Sequence, residues 1–234
     1  MDLISQTMQW IAEPAHWEGP GGIPVRFVEH IVLSGVVVLV GVLIAVPIGL
    51  VIGHTRKGAV LAINLANIGR AVPSYALLLV LFPIFGLGFA TAFPVLLLLT
   101  VPPIVTNTYV GISEVDPDAV DAGRGMGMRG IQVLTRVEAP LALPFILAGI
   151  RIAAVQVVAT ATLAALVAGG GLGRFIVDGF ALQDDGQLIA GGLLVAGLAL
   201  GTERGLAFVE RRATSPGIRL AASPNAGRVA LGDH

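Results

Sequence analysis

The chain has 234 residues, of which 55% are hydrophobic and only 12% charged, with a mean hydropathy of +0.88 and a formal net charge of −1. Soluble domains carry about 25% charged residues, so this balance argues for a membrane protein and gives no footing for nucleic-acid binding. Cysteine is absent, which excludes a disulfide framework, a zinc–cysteine site and a cysteine nucleophile.

Residues 1–25 lack the positive start and long apolar run of a cleaved leader, and contain Glu13, Pro14, Glu18 and Pro20. Trp10 and Trp17 suit a segment lying at a membrane surface, with a loosely ordered leader as the alternative. A crossing helix needs roughly 20 apolar residues for a ~30 Å hydrocarbon core. Ile31–Ile52 supplies the first, and the polar turn of His54, Arg56 and Lys57 ends it. Ala59–Gly69 is apolar but short, interrupted by Arg70 and Pro73. The uncharged run from Ala71 to Ile112 is too long for one crossing and divides at Gly86, Gly88 and Thr91. Ile152–Gly173 and Leu188–Val209 complete the set. The expectation is an all-α polytopic membrane protein with five spans, or six if the bent second element is two.

Direction follows from Lys and Arg, which stay on the cytoplasmic side. One side carries Arg56, Lys57, Arg124, Arg129, Arg136, Arg211, Arg212, Arg219 and Arg228; the other has only Arg26 and Arg174. The amino terminus is therefore expected outside and the carboxyl terminus inside. The expected organisation is an extracytoplasmic segment over 1–25, a transmembrane domain over 26–212 and a cytoplasmic tail over 213–234. That tail is rich in Ala, Gly, Pro, Ser and Arg, a composition expected to be disordered.

The polar insert over 113–144 stands apart. Asp116–Pro117 is a helix start, an N-cap acceptor followed by proline at the first helical position. Asp118 and Asp121 then suit the positive end of the helix dipole. The helix should loosen at Gly125, Gly127 and Gly130, and a second amphipathic piece, Ile131–Glu138, should lead back to the membrane through Pro140 and Pro144. A short, glycine-flanked helix on the cytoplasmic face is shaped to dock into a partner's groove; an ordinary interfacial helix has the same pattern.

The pattern Asp121-Ala122-Gly123, three residues, Gly127, nine residues, Val137, then Ala139-Pro140 resembles the Glu-Ala-Ala loop of ABC importer permeases. Asp stands for Glu, Gly for the second Ala, Val for Ile and Ala for Leu. Three further runs resemble the osmoprotectant (glycine betaine, carnitine, choline, proline) branch of that family: Leu143-Pro144-Phe145-Ile146-Leu147-Ala148-Gly149-Ile150-Arg151, Val72-Pro73-Ser74-Tyr75-Ala76-Leu77 and Gly170-Gly171-Leu172-Gly173-Arg174-Phe175-Ile176. The resemblance implies a MetI-like permease fold with a cytoplasmic coupling helix, in a bacterial inner membrane. It also implies three partners: a separate ABC ATPase subunit, a second permease (a copy or a sister chain) and an extracytoplasmic substrate-binding protein. Asp121, Ala122, Gly123, Gly127, Met128 and Pro140 are then the expected ATPase-coupling residues. Glycines permit close backbone approach, and methionine adapts to a partner's groove.

No ATP site of the Walker type is expected, because the only lysine, Lys57, is followed by Gly58 rather than Ser or Thr. Neither a cofactor nor a metal is expected, since the histidines show no ligand spacing. Tyr75, Asn107, Tyr109, Gln156 and Thr160 are polar groups on apolar runs, where burial in lipid is costly; they are expected to line the pathway or to bond between helices. The alternatives are a permease for another small solute (an amino acid or a sulfonate), a secondary transporter, which would want midplane acids, and a non-transporting anchor subunit.

Overall fold

The computed structural model describes residues 2–58, 60, 64 and 73–214. The short apolar stretch predicted over 59–69, with Arg70, and the tail predicted over 213–234 fall almost entirely outside them. Helices α1 (Leu3–Ala12), α2 (Ile23–Thr55), α3 (Ser74–Phe85), α4 (Phe89–Ser113), α5 (Pro117–Gly125) and α6 (Gly130–Val133) come first. A single π-turn, Leu134–Glu138, leads into α7 (Ala139–Thr160); a 3₁₀ segment (Ala161–Val167) separates it from α8 (Gly173–Leu182) and α9 (Asp185–Ala213). Among the described residues four helical runs are long and apolar enough to cross a membrane: α2, α4, Gly130–Val167 and α9. Helix α3, at 12 residues, rises only about 18 Å.

The division predicted near Gly86 and Gly88 is observed: their φ angles of +78° and +95° belong to a region open to glycine, and they separate α3 from α4. The fourth span differs from expectation. It begins at Ala139, not Ile152, and its regular helix ends at Thr160. Arg151 therefore lies within the helix, where its guanidinium meets Glu203 (3.4 Å) and Glu210 (3.5 Å) of α9. Charge read along one strand of sequence marks a helix end only when no countercharge waits on a neighbour.

Helix α4 is packed between α2 and α7. On α2, Gly41, Ala45, Gly49 and Gly53 recur every four residues and so form one face. A Cβ on Gly49 would lie 2.5 Å from the Cβ of Thr108, and one on Gly53 2.6 Å from the Cβ of Ile112. On the other side Gly149 of α7 admits Asn107, whose Cβ would stand 2.7 Å from an added Cβ. Small residues let membrane helices approach this closely, which is where their packing energy comes from. The similarly spaced Gly197 and Gly201 of α9 have nothing within 4 Å.

At the end of the bundle away from the 114–138 insert, α2 carries a polar knot. His30, wholly buried, bridges two elements: Nε2 bonds the Val158 carbonyl (2.8 Å), and Nδ1 accepts from the Leu172 amide (3.2 Å). This pairing makes Nε2 the protonated nitrogen. The adjacent Glu29 accepts from the Gly171 amide and from Arg26, both at 2.8 Å. Together they pin the glycine turn, where Gly170 and Gly171 have φ near +75° and +78°, against α2. His30→Phe is expected to strand two buried backbone groups at about 1–3 kcal/mol each. The protein in detergent should lose several degrees of Tm; an unchanged Tm would show that the knot contributes nothing.

Helix α1 lies against α9. Trp10 is buried, stacks on His16 at 4.1 Å and meets the edge of Phe175 at 5.2 Å, while Trp17 stays half exposed. Residues 2–17 are thus an ordered cover on that end of the bundle.

Candidate functional site

The insert between α4 and α7 is built on a hydrophobic seat. Val115, Val120, Val133 and Leu134 are buried with Ile112 of α4 and with Ala142 and Ile146 of α7. Met128, half-buried, packs at its edge. Helix α5 starts as expected: Asp116 Oδ1 accepts from the Asp118 amide at 2.9 Å and Pro117 follows at the first helical position. Its end is a Schellman turn. The Met128 amide reaches back to the Gly123 carbonyl (3.2 Å) and the Gly127 amide to that of Arg124 (2.9 Å), with Gly127 at φ +81°. That left-handed conformation at the position after the cap is where glycine is favoured. Helix α6 then begins at Gly130, where the Arg129 amide donates to Gln132 Oε1 at 2.8 Å.

The predicted coupling residues are gathered here but do not all face the same way. Asp121, Ala122 and Gly127 are exposed, and a Cβ on Gly127 would meet nothing within 4 Å. Asp121 pairs loosely with Arg124 at 3.5 Å, an exposed ion pair of small energetic weight. Gly123 faces inward: its added Cβ would touch Val137 at 3.4 Å and the Met128 sulfur at 3.6 Å. Its small size lets α5 lie down on the seat. Pro140, exposed, follows directly on the π-turn within the continuous run Gly130–Val167 and has no amide hydrogen to donate to the preceding turn.

The five polar residues expected on the spans are dispersed. Tyr75 is exposed at the start of α3. Asn107 gives its amide to the Pro103 carbonyl of its own helix at 2.8 Å while packing on Gly149. Tyr109 is half-buried two residues further on, and Gln156, exposed, and Thr160 lie on the later half of α7. Gln156 is seven residues beyond Gly149, which puts it about 10 Å along the bundle from Asn107. A cleft of about 500 Å³ opens between α2, α7 and α9, lined by residues such as Ser34, Val38, Val42, Ala154 and Leu206. None of the five is among the described residues that line it, and none of those is aromatic or charged.

One buried pairing escaped the sequence reading. Glu138, 2% exposed inside the π-turn, meets His54 Nδ1 of α2 at 2.5 Å. Their separation of 84 residues hides the pairing. The legible signal was a carboxylate at the inner end of an amphipathic segment.

Comparison with known proteins agrees with this architecture. Residues 38–215 match the family described as "Binding-protein-dependent transport system inner membrane component". The glycine betaine/carnitine/choline transport system permease protein OpuCB of Bacillus subtilis (strain 168) is 38% identical over 191 residues, 82% of this chain and 88% of that protein. The choline transport system permease protein OpuBB of the same organism is 39% identical over the same shares. Among solved structures, an inward-facing conformation of the MetNI methionine ABC transporter superposes with a TM-score of 0.74 at 23% identity, covering 87% of this chain and 100% of that one.

Proposed function

Because the chain belongs to the family of binding-protein-dependent transport system inner membrane components, we propose that it is the membrane-spanning permease subunit of an ATP-driven importer of osmoprotectants such as glycine betaine, choline, carnitine or proline. Permeases with glycine betaine, choline or carnitine in their names, at 34–39% identity over most of the chain, carry this reading; proline rests on the sequence resemblance alone. It is a transport subunit and a multi-pass membrane protein. ATP is hydrolysed by a separate ABC subunit that seats α5 and the Gly127 turn, and this chain binds no cofactor. A second permease, a copy or a sister chain, completes the pathway, and a binding protein delivers the solute from outside. The insert and the carboxyl terminus face the cytoplasm of a bacterial cell, and the amino-terminal cover faces out.

Nucleotide binding draws the two ATPases together, and the docked inserts carry that displacement into α4 and α7, whose ends they join. The spans then rock between outward-open and inward-open states. Quaternary ammonium ions are commonly held by aromatic faces through cation–π attraction. The apolar cleft beside α2 offers none, so solute choice is assigned to the binding protein. Family membership sets aside a secondary transporter and a non-transporting anchor.

The test is uptake. A strain lacking this permease is grown at high osmolarity and given radiolabelled glycine betaine, choline, carnitine or proline. Uptake of at least one is expected to fall more than tenfold and to return with the gene. If none depends on the permease, the osmoprotectant reading is wrong, and amino acids and sulfonates are the next solutes to try.

A further inference from the structure

The end of α2, from His54 to the capping residue Arg56, contacts the insert at both of its hinges. At the first, Arg56 donates to the carbonyl of Ser113, the final residue of α4, at 3.1 Å. At the second, His54 meets Glu138, the final residue of the π-turn, at 2.5 Å. Gly130 lies close to the other side of the His54 ring, where an added Cβ would stand 3.4 Å from Nε2. Helix α2 is not contiguous in sequence with the insert, and these contacts are how it reaches the ends of it.

The carboxylate is the informative group. Burying one costs several kcal/mol unless a partner answers it, and among the described residues Glu138, at 2% exposure, is answered by the His54 imidazole. An apolar residue would fill the seat beside Val133 and Leu134 at less cost, so a hydrophobic seat does not account for it. The π-turn adds to this. A turn widened by one residue is an uncommon feature that recurs at functional sites, and here it holds Glu138 toward α2 at the place where the insert re-enters the bundle.

We propose that His54 and Glu138 are positioning residues for coupling: they bind the exit hinge of the insert to α2, so that movement of α5 is delivered to α2 and α7 as one body. Without the link, the docked insert flexes at the π-turn and ATP hydrolysis proceeds with little solute movement. The inference rests on the reading of α5 as the ATPase-docking helix.

The test uses the complete importer, with ATPase subunits and binding protein, in proteoliposomes. The readout is ATP hydrolysed per solute imported, beside co-purification of the ATPase. Glu138→Ala and His54→Ala are each expected to raise that ratio at least fivefold while the ATPase still co-purifies. The double variant should be no worse than either single one, and Glu138→Gln, whose amide oxygen still accepts from the ring, should stay within twofold of wild type. The chain has no cysteine, so His54→Cys with Glu138→Cys can be bridged by a short bis-methanethiosulfonate reagent, each thiolate displacing one methanesulfinate. Bridging is expected to restore the ratio, and this arm also serves if the alanine variants fail to accumulate. A wild-type ratio in Glu138→Ala, or a bridged pair as uncoupled as the unbridged one, overturns the proposal. Failure of the wild-type permease to retain the ATPase would instead overturn the docking reading beneath it.

Discussion

Gly49→Leu is expected to reduce the folded permease recovered from membranes at least tenfold, whereas Gly197→Leu should be recovered at the wild-type level. Both glycines sit in long apolar helices with a second glycine four residues on. At Gly49, however, an added Cβ would stand 2.5 Å from Thr108 Cβ and 3.0 Å from the carbonyl oxygen of Val105. The first neighbour is the branch-point carbon of a buried threonine, fixed directly to the α4 backbone, and the second is that backbone itself, so neither can step aside. Overpacking a core costs about 1–3 kcal/mol when side chains can rearrange. Here the relief requires separating α2 from α4, which also opens the contacts at Gly41 and Gly53. Gly197 has open space around it, and a leucine there adds apolar surface to a helix that already shows it to lipid. The measurement is the amount of monodisperse protein after detergent extraction. Equal recovery of the two variants would mean that the close approach of α2 and α4 does not hold the fold.

That contrast shows where sequence stops being informative. Gly49–Gly53 and Gly197–Gly201 are the same signal on paper, and only the partner surface distinguishes them. Chain-local features were readable: the cap at Asp116 and Pro117, the positive-φ breaks at Gly86 and Gly88, and the turn at Gly127 each follow from what one residue type permits its own backbone. Features needing two distant segments were not. Arg151 reads as a span boundary until Glu203 and Glu210 are brought to it from α9. His54 reads as the first residue of a polar turn until Glu138 arrives from 84 positions away. Gly123 shares a motif with Gly127, yet one is covered by Val137 and Met128 and the other is bare, because helix phase, and not spacing within a motif, decides which face a residue joins. Polarity on an apolar run, likewise, says only that a group needs a partner, and Asn107 has one in its own helix.

Transport by Gly127→Trp is expected to fall below a tenth of wild type while the protein remains in the membrane at its normal level. Two effects separate cleanly at this position. The first is conformational: φ of +81° places an L-residue in the left-handed region at roughly 1–2 kcal/mol, a cost that Gly127→Ala bears as well and Gly127→Asn largely avoids. The second is steric and acts only on a partner, because within the chain nothing lies within 4 Å of the added Cβ. The indole therefore projects from the turn after α5 into the space where a docked ATPase subunit would sit. Gly127→Asn should transport nearly as wild type and Gly127→Ala somewhat less, with the ATPase retained in both. Gly127→Trp should lose the ATPase on purification, or keep it with hydrolysis no longer tied to uptake. The order of the three variants matters more than any single value: if Ala and Trp are equally impaired, strain in the Schellman turn explains the loss. If Trp transports normally, the surface at Gly127 is free of any partner, and the docking face must be sought elsewhere on the insert.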